Sequence, residues 1–479
     1  MREFHTAEQV RAAEAPLLSA LPEGTLMRRA AHGLAGVAAA ELRARAGGVA
    51  GRSVTLLVGS GDNGGDALFA GALLRRRGVA VRAVLLDPAR VHGPGLAALR
   101  AAGGRIGADL GDPDLVLDGI VGISGRGPLR PAAASVVASI TAPIIAVDLP
   151  SGVDPDTGAV AGPAVTASVT VAFGALKPVH VLAAARCGRV ELVDIGLAPM
   201  AAGIRALTPA EVGARWPLPG AADDKYSQGV VGVVAGGERY PGAAVLSCGG
   251  AVAATSGMVR YVGSAAPQVI SAWPEVVAAD RLDTAGRVQA WVVGPGIGTG
   301  PSATAVVRGA VESDLPVLID ADGLTVLAAD PGLLAGRSAP TLLTPHAGEF
   351  ARLTGVDPGA DRVGCARDLA DRWGVTVLLK GRATVIAEPG GAVLVNDAGG
   401  SAAATAGSGD VLAGLIGALL STGLDPSGAA AMGARAHSLA AALAAGAGSA
   451  TAAPISAGAL LTQVRSAIRI LRAASDAGS

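Results

Sequence analysis

Short aliphatic and β-branched runs alternate along the chain with longer stretches of helical character. SVTLLVGS (53–60) reads as a strand buried on both faces, and ALFAGALLRRRG (67–78) as the helix after it. VRAVLLD (81–87), DLVLDGIVG (114–122), PIIAVDLPSG (143–152), SVTVAF (168–173) and VELVDIG (190–196) continue the series, several ending in polar or glycine-rich turns. Strands separated by helical stretches predict βαβ units and a parallel sheet. RALTPAEVGARWPLPGAADD (205–224) carries three prolines and no strand period. It predicts an N-terminal domain over 1–205, a linker over 206–221 and a C-terminal domain over 222–479. The second series comprises GVVGVVAGG (229–237), VQAWVVGPGIG (288–298), PVLIDADGL (316–324), TLLTPHAGEF (341–350) and VTVLLKG (375–381). TVIAEPGGAVLVND (384–397) predicts a hairpin around Pro389-Gly390-Gly391. VLAGLIGALLSTG (411–423) and two alanine-rich stretches predict a helical end, alanine combining high helix propensity with close approach. No fixed-period repeat is present.

Composition narrows the class. At about 150 residues per domain, 479 residues allow three domains or two large α/β ones. Hydrophobic residues at 51 %, charged residues at 16 % and a net charge of −1 exclude a disordered chain and a basic nucleic-acid binder. No unbroken apolar run reaches the ~20 residues of a spanning helix, and no basic-then-apolar leader opens the chain. Neither a membrane segment nor a signal peptide is therefore predicted. Three scattered cysteines, Cys187, Cys248 and Cys365, point to a reducing cytoplasm. Of the 38 basic residues only three are lysine: Lys177, Lys225 and Lys380. A lysine kept in such a chain marks either chance survival or a site needing a compact ammonium in place of a guanidinium.

In the first half, Gly59-Ser60-Gly61-Asp62-Asn63-Gly64-Gly65-Asp66 joins a strand to a helix. Glycines there let a ligand approach the backbone, and the helix start favours an anion. Two carboxylates flanking an asparagine suit a hard cation or ligand hydroxyls better than phosphate alone. The alternative is a glycine-rich turn with an Asx cap. Asp118 precedes the turn Gly122-Ile123-Ser124-Gly125-Arg126-Gly127-Pro128, Asp148 ends IIAV, and Ser151 follows it. Each aspartate alone reads as a helix cap. Together, at the carboxyl ends of parallel strands, they read as a ligand crevice. Lys177, in FGALKP, stands at another strand end and is placed to face the same cleft.

In the second half, Ala406-Gly407-Ser408-Gly409-Asp410 opens a helix, where free N–H groups make an anion hole. A carboxylate beside phosphate is repelled unless it handles a proton, so Asp410 reads as a general base, or else as an N-cap. Lys380, after VTVLL, reads as a phosphate contact. His346 and Glu349 follow TLL; a surface or capping histidine is the alternative. Asp320 and Asp322 end PVLI, where carboxylates suit Mg²⁺ held through water. Gly294-Pro295-Gly296-Ile297-Gly298 is a further glycine-rich strand end, and Lys225-Tyr226-Ser227-Gln228-Gly229 precedes the first strand.

Residues 1–205 resemble the NAD(P)HX epimerase domain, on GSGDNGGDAL, DGIVGISGRG, DLPSGVDPDTG and FGALKP. The resemblance implies a Rossmann-like three-layer fold and a K⁺ ion on Asn63, Asp118 and Ser151. It implies substrate contacts from Asp62, Asn63, Gly64, Gly65 and Asp66, and from Gly122, Ile123, Ser124, Gly125, Arg126, Gly127 and Pro128. Asp148 is then substrate-binding and the catalytic acid/base that helps open and reclose the hydrated nicotinamide at C6. The chain departs from the family pattern at Asp62, where a neutral residue is common, and at Ala67, where glycine is common.

Residues 222–475 resemble the NAD(P)HX dehydratase branch of the ribokinase-like superfamily, on KYSQG, GGERYPGAAVLS, GPGIG, DADGL, TPHAGEF, LLKG and AGSGDVLAG. This implies contacts to the hydrated dinucleotide from Ala243, Gly298, His346 and Asp410. It implies that Lys380, Gly381, Arg382, Ala383, Thr384 and Gly409 hold the AMP part of an ADP or ATP co-substrate, with Mg²⁺. The C6 hydroxyl takes the terminal phosphate, and loss of phosphate restores NAD(P)H. The chain departs at Ala347, where proline is usual, and at Ser401-Ala402-Ala403, where Asn-Pro-Gly is common. The expectation is an α/β, bifunctional, cytoplasmic repair enzyme, isomerase and lyase, spending ADP. It binds NAD(P)HX and ADP or ATP, touches neither nucleic acid nor membrane, and forms a homo-oligomer through its alanine-rich helices. The alternatives are a ribokinase-like small-molecule kinase with a non-catalytic Rossmann-like regulatory half, and an N-terminal half that is an interaction module.

Overall fold

A computed structural model describes residues 1–255, 257–449 and 451–476. The chain divides into two units, Glu3–Ile204 and, with Met1–Arg2, Arg205–Ser479. In the first unit seven strands form one sheet, in the order Arg105–Gly107, Ala80–Leu85, Ser53–Val58, Leu115–Gly119, Ile144–Val147, Val169–Phe173 and Arg189–Val193. Every neighbouring pair is parallel. The chain starts at Ser53–Val58, steps outward twice, then returns to build the other side. This reversal opens a crevice between the carboxyl ends of Ser53–Val58 and Leu115–Gly119. Alternation along Ser53–Val58 sends Leu56 and Val58 into one core with Thr25–Ala46, Asp62–Arg76 and Gly93–Ala101. Leu57 goes into the other, beneath Pro131–Ala138. Helices on both faces make the Rossmann-like three-layer arrangement. Arg105–Gly107 lies outside the predicted strands, because two of its three residues are exposed and supply no buried run.

In the second unit nine strands from Val230 onward run in the order Val277–Ala279, Met258–Val262, Val230–Val234, Ala290–Val293, Val317–Ile319, Thr341–Leu343, Thr376–Leu379, Ala383–Ala387 and Val393–Asp397. They are parallel as far as Thr376–Leu379 and antiparallel through the predicted hairpin. Helices Pro241–Ala254 and Ser408–Ser421 cross in near backbone contact. A Cβ at Gly414 would lie 1.8 Å from the Ser247 carbonyl oxygen, and one at Gly250 2.2 Å from that of Val411. Only glycine fits either place. The alanine-rich stretches form Pro426–Ala445 and Ala457–Asp476, whose alanines join the main core of this unit. Within 206–221 lies the helix Pro209–Arg215, started by a Thr208–Glu211 capping box. Among the described residues no helix is long and apolar enough to cross a membrane.

Candidate active sites

Four adjacent strand ends build the first site. The Gly59 N–H donates to the Gly119 carbonyl at 3.0 Å, and a Cβ at Gly59 would lie 1.8 Å from the Ile120 carbonyl oxygen. Helix Asp62–Arg76 then begins with no side chain capping its N-terminus. Asn63, Gly64, Gly65 and Asp66 are buried and Asp62 is exposed. Asp148 follows Ile144–Val147 with φ +67°, a costly backbone for a residue with a side chain. Its backbone N–H and carbonyl and its Oδ1 are all held. Its N–H donates to the Val171 carbonyl at 2.8 Å. Its Oδ1 accepts from the Phe173 N–H at 3.0 Å and from Lys177 Nζ. The Lys177 ammonium, 1 % exposed, also donates to the Phe173 carbonyl at 2.9 Å. His180 Nδ1 accepts from the Lys177 N–H at 2.9 Å, which leaves Nε2 as the protonated nitrogen; it donates to the Asp148 carbonyl at 2.9 Å. Burial, reinforced by the negative charges of Asp148, Asp62 and Glu14 against that of Lys177, holds Asp66 well above the usual carboxylate range.

Below this lies an oxygen-lined cradle. Asp118, fully buried, accepts from the Ser151 hydroxyl at 2.7 Å and from the Ser151 N–H at 2.9 Å. Asn63 donates to the carbonyls of Val121 at 3.1 Å and Val147 at 2.6 Å. A Cβ on Gly122 would lie 2.8 Å from Asn63 Oδ1. Burial pushes the Asp118 carboxyl up to about 6, with the Ser151 bonds opposing it. Among the described residues no basic side chain pairs with it. A buried carboxylate among amide, hydroxyl and carbonyl oxygens without a counter-charge fits a weakly charged hard cation. The 122–128 loop is held by Arg126, which donates to the carbonyls of Ile123 at 3.2 Å and Gly125 at 2.9 Å and to Asp156 at 3.1 Å.

The second site also stands on adjacent strand ends. Asp320, 2 % exposed, follows Val317–Ile319 and accepts from Lys380 Nζ at 2.7 Å. Glu349 Oε2 lies 3.7 Å from the same ammonium. Burial works against the charge on Lys380, but Asp320, Glu349 and Asp410 outweigh it and hold the ammonium above its ordinary range. Ala321 has φ +49°, a second strained non-glycine residue, and turns the chain so that Asp322 Oδ2 accepts from the Gly298 N–H at 2.8 Å. Gly407, at φ +84°, starts helix Ser408–Ser421 with no side chain capping it. A Cβ on Gly409 would lie 3.6 Å from Lys380 Nζ and 3.9 Å from Asp320 Oδ2, so this helix start meets the Lys380–Asp320 pair. Asp410 is therefore not the N-cap. Burial, then Asp320 and Asp322, push its carboxyl to about 7 against the pull of Lys380. Beneath the turn, His437 is buried and donates from Nε2 to the Ser408 carbonyl at 2.9 Å; burial lowers its ring to about 4, so it is neutral.

The remaining sequence-derived residues fall around these centres. His346 caps helix Ala347–Thr354: its Nδ1 accepts from the N–H groups of Gly348 and Glu349, while Nε2 lies 3.5 Å from Glu349 Oε1. The cap and the exposed ring coexist, so the two sequence readings of His346 are compatible. Ala243 lies in the first turn of Pro241–Ala254, where a Cβ on Gly296 would meet its methyl at 2.9 Å. Thr384 Oγ1 donates to the Gly381 carbonyl at 3.0 Å, Arg382 pairs with Asp397 at 3.2 Å, and Ala383 opens its strand. Two of the three lysines, 177 and 380, are the ammonium groups at the two sites, whereas Lys225 lies over the Tyr226 ring. His180 and His437 had no signal in the sequence, being isolated within apolar stretches. Among the described residues no group of three or more His, Cys, Asp or Glu side chains forms a metal site. A cation at either centre must therefore draw on amide, hydroxyl or phosphate oxygens as well.

Residues 231–462 match the NAD(P)H-hydrate dehydratase family, and residues 23–179 the family described as the YjeF-related protein N-terminus. The bifunctional NAD(P)H-hydrate repair enzyme of Mycobacterium tuberculosis is 61 % identical over 90 % of this chain and 91 % of its own. A ribokinase-like superfamily protein from Enterococcus faecalis, 19 % identical, superposes with TM-score 0.50 over 57 % of this chain and 98 % of that one. The ADP/ATP-dependent NAD(P)H-hydrate dehydratase from Bacillus subtilis, co-crystallised with ATP and Mg²⁺, is 29 % identical with TM-score 0.48 over 55 % and 97 %. The two family matches and the 61 % identical relative do not favour the small-molecule kinase reading.

Proposed function

Because the chain belongs to the bifunctional NAD(P)H-hydrate repair enzymes, with an epimerase and a dehydratase domain, we propose that its two sites divide the repair as follows. In the unit Glu3–Ile204, Asp148 takes the C6 hydroxyl proton of either epimer of NAD(P)HX, and returns one when the centre recloses. The buried Lys177 and His180 fix its carboxylate and backbone. The loops 62–66 and 122–128 hold the substrate. Asn63, Asp118 and Ser151 would hold K⁺, which when bound supplies the positive charge that the buried Asp118 lacks.

In the unit beginning at Arg205, Asp410 takes the C6 hydroxyl proton of the S epimer as that oxygen attacks the terminal phosphate of ADP, releasing AMP. Phosphate then leaves C6, C5 loses a proton, and NAD(P)H results. Ala243, Gly298 and His346 contact the dinucleotide. Lys380–Thr384 and Gly409 hold the nucleotide, with the ammonium of Lys380 at its phosphates. Asp320 and Asp322 would hold Mg²⁺ through water and phosphate oxygens, shielding phosphate charge. The observation that carries the second assignment is Asp410 standing in the first turn of an uncapped helix beside the Lys380–Asp320 pair. The same reading places the protein in the cytoplasm, which keeps its three free cysteines reduced, as a homo-oligomer whose mass light scattering measures.

The experiment offers pure R- or S-NAD(P)HX with ADP and follows the near-ultraviolet absorbance of dihydronicotinamide. Wild-type protein recovers both epimers. Asp148→Asn recovers only S beyond the spontaneous rate, and Asp410→Asn recovers neither while still exchanging them. Recovery of the cofactor without nucleotide would remove the phosphorylation step.

A further inference from the structure

Helix Ala7–Ala20 brings one more group to the first crevice. It begins with a Thr6–Gln9 capping box and is tied to the loops around the site. The His5 N–H donates to the Leu176 carbonyl at 2.8 Å, beside Lys177, and the Ala7 N–H to Asp156 Oδ1 at 2.7 Å. One turn on, Arg11 donates to the Ile123 carbonyl at 3.0 Å and to Ser124 Oγ at 3.3 Å, both in the 122–128 loop. Ala7 and Val10 are 0 % and 1 % exposed. Glu14 follows them at i+7 and i+4, on the same inward face. A stripe that buries alkyl groups at its first two positions thus carries a half-buried carboxyl at its third. Among the described residues, no ion pair or hydrogen bond partners this carboxyl. The charges that act on it are those of Lys177, Asp148, Asp62 and Arg11, and it in turn acts on Asp66. Burial, with Asp148 and Asp62 adding and Lys177 and Arg11 opposing, raises it above the usual carboxylate range, so it keeps its proton to higher pH.

We propose that Glu14 is a second acid–base residue of the epimerase site, complementary in role to Asp148. The inference rests on the epimerase reading of this unit. Exchange at C6 of a cyclic hemiaminal needs a base and an acid together. On opening, the hydroxyl proton passes to Asp148, the C6–N1 bond breaks as C6=O forms, and the electron pair left on N1 takes the proton of Glu14. After the aldehyde turns its other face, N1 re-attacks C6, its proton returns to Glu14, and Asp148 protonates the oxygen. Both carboxyls end as they began, and no further reactant is consumed.

The test uses the full chain with R-NAD(P)HX, following epimer exchange by chromatography across pH. Dehydration of S-NAD(P)HX by the other unit and circular dichroism serve as controls. For Glu14→Gln the expected result is a fall in kcat for exchange of about 10²–10⁴-fold, little change in KM, and loss of the decline toward higher pH that deprotonation of Glu14 causes. Glu14→Asp should keep a carboxyl and part of the rate, with that decline retained but moved to lower pH. Exchange by Glu14→Gln at close to the wild-type rate, or a loss confined to KM with the high-pH decline intact, would overturn the assignment. If Glu14→Gln fails to fold, Glu14→Asp decides: an unchanged pH profile overturns the proposal, and a high-pH limb moved to lower pH supports it. If wild-type protein shows no exchange, the epimerase reading itself fails.

Discussion

Replacing Lys177 by methionine tests whether the first site is held by its buried ion pair. Lys177 and Asp148 side chains are 1 % and 8 % exposed, so neither charge has water to fall back on. Lys177→Met leaves Asp148 with one remaining donor on Oδ1, the Phe173 N–H at 3.0 Å. Removing one partner of a buried pair costs about 3–5 kcal/mol, because the other charge stays buried and unpaired. An exposed pair would cost only about 0–1 kcal/mol. For a unit of this size each kcal/mol lowers Tm by about 2–4 °C, so the drop should be about 6–20 °C. Calorimetry of the full chain measures it, and hydrogen exchange over 144–182 identifies the unit affected. Asp148→Asn alone should cost a similar amount by stranding the ammonium. The double variant removes both charges and should recover about 2–3 kcal/mol of the summed loss. Single variants within about 0.5 kcal/mol of wild type, or strict additivity in the double variant, would refute the argument.

Three further outcomes follow from other groups. Asp410 must be deprotonated to act as a base, so dehydration should rise with pH through about 7; Lys380→Met removes the ammonium that lowers this carboxyl, and the limb should move to higher pH in the kcat/KM profile. Asp118 is pushed from 3.8 to about 6, so its folded form binds protons more tightly than the unfolded chain and its cost grows from pH 4 to 6 and persists above. At about 1.4 kcal/mol per pKa unit that is up to about 3 kcal/mol; K⁺ should therefore raise the Tm of this unit at pH 7.5 and hardly at pH 4, and equal K⁺ effects at both values would count against the cradle. Gly414→Ala places a methyl 1.8 Å from the Ser247 carbonyl oxygen; opening the helix crossing should cost about 1–3 kcal/mol by overpacking, seen as a lower Tm together with slower dehydration.

Much of the architecture was legible because parallel strands buried on both faces read as unbroken aliphatic runs. The predicted strands through 341–350 and the 384–397 hairpin correspond to observed elements. Arg105–Gly107, Met258–Val262 and Val277–Ala279 were not among them. Two of these are three residues long and partly exposed at sheet edges, where burial imposes little on composition. The stretch at 206–221 contains Pro209–Arg215, whose start was written in Thr208-Pro209 and Glu211 but overshadowed by the surrounding prolines.

What the amino-acid order alone determined was which turns bring polar groups to strand ends: glycine-rich strand ends with carboxylates, and lysines retained in a chain that otherwise uses arginine. Those are local properties, fixed by backbone freedom and side-chain type within a few residues. Tertiary structure alone decided the rest. It placed Lys177 on Asp148 and Lys380 on Asp320, and set His180 behind the strained Asp148 turn and His437 behind the Gly407-Ser408 turn. It also formed helix Ala7–Ala20, for which the sequence offered no reading, and half-buried Glu14 on its inward face. Each of these depends on burial, which converts an ordinary residue into a perturbed one, and burial is a property of the packed whole that no short stretch of chain contains.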